Sequence, residues 1–146
     1  ETQKLKELRS LIQLLKEIRG ELGTRSTPLP QLMELMGRRC SGSGGRFAMA
    51  LYERMDELGE KEFSQLWREC IRQHLASLEA EDRDLALSLG LCLGRYELDR
   101  QLSELDICIE LLENRLAGYS SRLPEKRRVG LGLACSLGAL LLIVLI

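Results

Sequence analysis

Residues 84–94 read DLALSLGLCLG, and this stretch decides whether the chain is wholly helical or carries a strand. At period two, Leu85, Leu87, Leu89, Leu91 and Leu93 alternate with Ala86, Ser88, Gly90 and Cys92, the pattern of a strand with one small-residue face. At helical spacing, Leu85, Leu89 and Leu93 form a ridge, while Ala86, Gly90 and Gly94 form a smooth groove that another helix can approach closely. Leu favours helix over strand, β-branched residues are absent, and a lone strand would have no partner in this chain. The stretch is therefore expected to be a helix over 84–94. The acidic run Glu79, Glu81, Asp82 and Asp84 suits its start, where carboxylates complement the dipole.

Downstream the reading is plainer. Leu98, Leu102, Leu105, Ile109, Leu112, Leu116, Tyr119 and Leu123 keep a strict 4,3 alternation for nearly four heptads, predicting a long helix. Upstream, Leu5, Leu8, Ile12, Leu15 and Leu22 hold heptad spacing, widened by Leu11, Leu14 and Ile18, and predict a first long helix over 2–22 that Gly20 and Gly23 end. These two are the natural antiparallel partners of a bundle. Between them the pattern predicts shorter helices over 29–38, 46–58 and 61–78, the first entered through a Thr27 hydroxyl cap and Pro28. The run Cys40-Ser41-Gly42-Ser43-Gly44-Gly45 reads as a mobile connector, since each glycine loses much backbone entropy in a helix. It lacks the GxxxxGK and preceding strand of a phosphate loop. The expected fold is all-α: a bundle of about six helices with two long antiparallel ones over 1–123, a basic juxtamembrane hinge over 124–128 and a C-terminal transmembrane helix over 129–146.

That last element rests on VGLGLACSLGALLLIVLI, which holds no charged residue and follows Lys126, Arg127 and Arg128. At 1.5 Å per residue, such a helix spans about 27 Å, close to a hydrocarbon core of roughly 30 Å. A buried helix of a soluble bundle would keep a polar side, and here only Ser136 and small residues interrupt the apolar run. A cleaved lipid-anchor signal would need a polar spacer where the arginines stand. The basic cluster puts the bundle end of the anchor on the cytoplasmic side. The chain opens on Glu1, which suggests a processed or trimmed product.

Composition narrows the function classes. The chain has 146 residues, 45% hydrophobic but only 4% aromatic, so leucine supplies the apolar mass. Its 21 basic and 22 acidic residues nearly cancel, leaving no broad basic face for nucleic acid. Cys40, Cys70, Cys92, Cys108 and Cys135 are odd in number and widely spaced, which argues against a disulfide framework or zinc site and for a reducing compartment. His74 sits on an apolar face without further ligands and is expected to be packed and hydrogen-bonded; Trp67 reads as a core anchor. With no nucleophile paired to a base, no metal cluster and no nucleotide loop, an enzyme, a cofactor and a small-molecule substrate are not expected.

Taken together, the chain resembles the stage III sporulation protein AB family. Thr27-Pro28-Leu29 resembles its TPL element; Leu89-Gly90, Leu93-Gly94, Glu97 and Gln101 resemble its LG…LG-x-x-D-x-x-x-Q motif, with Glu97 where Asp is usual. Lys126, Arg127, Arg128, Gly130 and the run from Gly138 to Ile143 resemble its basic, glycine-punctuated membrane segment. Members carry a further hydrophobic segment upstream of the first helix, which this chain lacks. The resemblance implies a bundle similar to the cytoplasmic domain of type II secretion and type IV pilus platform proteins. It also implies a place in the mother-cell membrane around the forespore, within a channel-like assembly, with membrane proteins of that complex and a cytoplasmic secretion-type ATPase as partners. The motif residues are the expected docking site, with close packing the competing role for the glycines and leucines. Glu97 and Gln101, one turn apart, would face outward or tie two helices together. The other class to weigh is a tail-anchored regulator that binds partner helices in a groove, but its Asn-Trp-Gly-Arg signature is missing, since Leu66 and Arg68 flank Trp67.

Overall fold

The computed structural model describes residues 2–121. Six α-helices follow one another: α1 (Gln3–Arg25), α2 (Leu29–Arg39), α3 (Gly42–Glu53), α4 (Phe63–His74), α5 (Ala80–Leu89) and α6 (Leu98–Ser121). A 3-10 turn, Met55–Glu57, joins α3 to α4. Among the described residues there is no strand, only an isolated bridge between Leu58 and Lys61. The chain divides into a unit Glu1–Leu116, which holds the bundle, and a unit Ala117–Ile146, of which the described part is the C-terminal end of α6. The expected hinge over 124–128 and transmembrane helix over 129–146, with Lys126, Arg127 and Arg128, lie outside the described residues. Among the described residues no helix is long and apolar enough to cross a membrane.

α1 is the central element. Its apolar stripe is too wide for a surface helix, and Leu8, Leu11, Leu14, Leu15 and Ile18 are wholly buried. At about 1.5–3 kcal/mol per buried side chain, this one helix supplies much of the drive for folding. It runs through Gly20 and Gly23, past the expected end, and stops at Ser26, which turns left-handed (φ 53°) and donates its N–H to Leu22 O at 3.1 Å. Burial of Ile18 and Leu22 holds the final turns, and Gly23 has Leu102 of α6 within 3.9 Å of where a Cβ would stand.

The long helices are antiparallel. Gly23 lies by Leu102, Arg19 pairs with Asp106 at 2.8 Å and Lys16 with Glu113 at 2.6 Å, so the partner's number rises on α6 as it falls on α1. The 4,3 pattern of α6 buries Leu105 and Leu112 fully, while Leu98, Leu102, Ile109 and Leu116 are half-buried. Ion pairs fasten the other end: Arg115 meets Glu79 at 3.1 Å, Glu81 at 3.3 Å and the buried Asp82, and Glu79 also takes Lys4 at 2.6 Å.

Several local expectations are corrected. The glycine run is not a mobile connector: α3 begins at Gly42, and Ser43, Gly44 and Gly45 are buried in its first turns. The cap comes from α1, where Ser10 Oγ accepts the Gly44 N–H at 2.7 Å and donates to Ser41 O at 3.2 Å. A Cβ on Gly44 would stand 2.8 Å from Ser10 O, and one on Gly45 would stand 2.1 Å from Cys40 O, so only glycine allows this approach. Thr27 does not cap α2. Its hydroxyl donates to Glu21 Oε2 at 2.8 Å, and Arg39 reaches the other oxygen at 3.4 Å, because the buried Glu21 needs those donors more than an open helix end does. Finally, α5 ends at Leu89 rather than Gly94, and α4 ends at His74, which is half-buried and makes no hydrogen bond among the described residues.

Candidate functional site: the corner between α5 and α6

The motif residues 89–101 build the corner that turns the chain from α5 into α6. Trp67 is its foundation. The indole is wholly buried, edge-on to Phe47 (ring centroids 4.9 Å apart, planes at 87°), beside Phe63 at 5.7 Å, and donates Nε1–H to Ala86 O at 2.8 Å. That bond crosses from α4 to α5 and fixes the distance between them. Gly90 lies flat on the ring: a Cβ there would stand 2.7 Å from Trp67 Cδ1 and 2.8 Å from Cγ. Ala86 and Gly90 are thus the small groove that the helical reading foresaw, and its occupant is an aromatic side chain rather than a second helix backbone.

Past Gly90 the chain coils through successive turns, and Leu89 and Leu93 fold inward at 1% exposure each. Gly94 then swings left-handed (φ +79°), with Leu29 Cδ1 2.5 Å from where a Cβ would stand. The backbone angle disfavours a side chain, and Leu29 would have to shift to admit one. Gln101 locks the turn. Its Oε1 accepts the Gly94 N–H at 3.2 Å and its Nε2 donates to Tyr96 O at 2.6 Å, so one amide satisfies a donor and an acceptor of the loop. The Arg100 guanidinium covers the Tyr96 ring at 3.8 Å. Glu97 is the cap residue of α6, its carbonyl accepting the Arg100 and Gln101 N–H groups at 3.1 Å.

These geometries sort the expected site residues. Leu89, Gly90, Leu93, Gly94 and Gln101 are brought together, and what they do is hold the corner. The Glu97–Gln101 pair neither faces outward as a unit nor ties two helices, because Gln101 turns back onto its own loop while Glu97 stays in solvent. Chemistry at the thiols is quiet. Cys70, Cys92 and Cys108 are buried, and desolvation raises all three, Cys108 to about 12. Among the described residues no group of three His, Cys, Asp or Glu side chains is placed to hold a metal. The Gly44 amide that a phosphate would use is engaged by Ser10. Sequence reasoning missed the exposed apolar side chains Leu91, Ile107 and Leu111. Ile107 and Leu111 carried a signal, since both fall outside the 4,3 stripe of α6.

The family model for stage III sporulation protein AB matches residues 1–146. The chain belongs to the stage III sporulation protein AB family. A solved structure, "Stage III sporulation protein AB (SpoIIIAB)", is similar with a TM-score of 0.71 at 16% identity, over 83% of this chain and 96% of that one; at that identity the likeness concerns the fold. Comparison with curated proteins finds no match. The family is one of sporulation proteins, and the six-helix, strandless bundle of the described residues has the fold of its solved member. In this member, the spelling LG…LG…Q is explained by the Trp67 seat, the left-handed turn and the Gln101 clamp.

Proposed function

We propose that the chain is a non-enzymatic platform component of a secretion-like complex between mother cell and forespore. It is held in the mother-cell membrane by residues 129–146, with the bundle on the cytoplasmic side. There it docks other membrane proteins of the complex and a cytoplasmic secretion-type ATPase. The observation that carries this reading is the family match over the whole chain, which makes it a sporulation protein. Two features support the finer statement: the uncharged stretch after Lys126, Arg127 and Arg128, and the rigid ion-paired bundle with its chemically quiet thiols. The test is fractionation of sporulating cells together with protease protection of a reporter fused after Ile146. Membrane recovery with the reporter shielded is expected; intact chain in the soluble fraction overturns the anchor, and spore formation unaffected by deletion of the chain overturns the role.

A further inference from the structure

Two hollows run along α5 and share Asp84 and Ser88. One, of about 490 Å³, lies between α5 and α6 and is lined by Leu85 and Leu111 with Glu81 and Arg115 at its end. The other, of about 350 Å³, lies between α5 and α4 and is lined by Leu87, Leu91, Ser64 and Arg68. The strip is apolar where a bundle surface should be polar: Leu91 and Ile107 are each 54% exposed and Leu111 42%. Ile107 and Leu111 stand one turn apart on α6, so they form a continuous edge rather than scattered exposures.

The rim is acidic. Arg115, the cation inside the first hollow, is already engaged by Glu79, Glu81 and Asp82. Asp84 and Glu104 form no ion pair among the described residues, and Glu104 lies on the α5 side of α6, where its charge helps raise the Cys108 thiol that faces Leu85 O at 3.5 Å. Arg68 on α4 and Arg100, one turn before Glu104 on α6, are the opposing cations, against Asp84, Glu104 and the three carboxylates gathered on Arg115. An apolar floor between surplus carboxylates matches one side of an amphipathic helix flanked by basic residues, the helix-in-groove mode of recognition.

We propose that this α5–α6 surface docks a basic amphipathic helix of a partner protein, its apolar stripe over Leu85, Ile107 and Leu111 and its lysines or arginines toward Asp84 and Glu104. Along α6, from Glu104 to Arg115, the strip is about 16 Å long, room for about three helical turns. The proposal rests on the docking role above only for the partner's identity; the binding itself is a property of this chain.

The test uses the full chain in nanodiscs of neutral phosphatidylcholine, with empty nanodiscs as background. The probe is a fluorescein-labelled synthetic helix with leucines on one face and lysines on the other; the same helix with glutamates is the comparator. Saturable binding of the lysine helix, tighter than the glutamate helix and weakened by salt, is expected. Ile107→Ser with Leu111→Ser should weaken it about tenfold. Asp84→Lys should shrink the preference for lysine, while Glu53→Lys, the same charge change at an exposed site on α3, should leave it. All altered positions are exposed, and circular dichroism checks the fold of each variant. Equal binding of the two helices, or affinity indifferent to both sets of substitutions, overturns the proposal. So does a dimer in sedimentation that Leu111→Ser dissociates, which would put a second copy in the groove. A chain that binds the lysine helix yet fractionates as soluble would leave this surface standing and overturn the membrane platform alone.

Discussion

Gly90→Ala is the substitution whose sign separates the packing argument from general backbone expectation. Gly90 has φ −63° and ψ −23°, a right-handed conformation that alanine adopts without strain. Judged by backbone alone, the change should stabilise the chain by about 0.4–1 kcal/mol through the unfolded state. The new methyl, however, would stand 2.7, 2.8 and 3.1 Å from Trp67 Cδ1, Cγ and Cβ. The ring cannot step aside freely, being wholly buried, edge-on to Phe47 and tied to Ala86 O. Overpacking of this sort costs about 1–3 kcal/mol, and a tilt that broke the indole hydrogen bond would cost about 1 kcal/mol more. The net expectation is a loss of about 1–2 kcal/mol, or a Tm lower by roughly 4–8 °C. Because Trp67 is the single tryptophan of the chain, its fluorescence during urea unfolding reports the perturbed site itself, with circular dichroism following the helices in parallel. Combining Gly90→Ala with Trp67→Leu should remove the penalty. A Gly90→Ala chain as stable as the parent, or an equal penalty with Trp67 replaced, would refute the close seat of the ring.

Further outcomes follow from the ion pairs and the caps. Arg115→Met leaves Asp82, 1% exposed, without its guanidinium, and should cost about 3–5 kcal/mol in a denaturant midpoint; adding Asp82→Asn should recover most of it, and additive penalties would count against the pairing. Hydrogen bonds from the Arg54 side chain hold the Glu57 and Glu69 carboxyls below their ordinary value of 4.5. Their contribution is therefore present above that value and lost as pH falls through the lowered ones, so Arg54→Gln should be less stable than the parent at neutral pH and converge with it in acid; a gap that widened in acid would reverse the sign. Glu97→Asp puts a shorter carboxylate at the cap of α6, and should raise stability by about 0.5–1 kcal/mol in thermal unfolding, whereas an unchanged Tm would show that the side chain does not reach the first-turn amides.

The periodic elements were legible because their information is local. The stripes of α1 and α6, and the choice of helix over strand as far as Leu89, depend on spacings within one helix, and the ladder Arg19–Asp106 and Lys16–Glu113 confirms the antiparallel pairing they implied. What failed were positions whose deciding contacts lie outside their own helix. The glycines at 44 and 45 are costly in an isolated helix, and nothing nearby offsets that cost; Ser10, 34 residues before Gly44, supplies the cap and the close contact that require them. Thr27 has the right chemistry for a cap, and only the burial of Glu21 diverts it. Gly94 belongs to the same class, since its fit to a helical groove is good on spacing and is overruled by Gln101, whose amide closes a left-handed turn instead. The motif thus builds a corner: Leu89, Gly90 and Leu93 are buried in it, while Gly94 and Glu97 stay exposed. Accessible apolar contact falls to Leu91, Ile107 and Leu111, which the 4,3 stripe of α6 and the motif both leave out. A docking surface of this kind becomes visible only once the core has been assigned, because its sign is apolar surface that the bundle did not use.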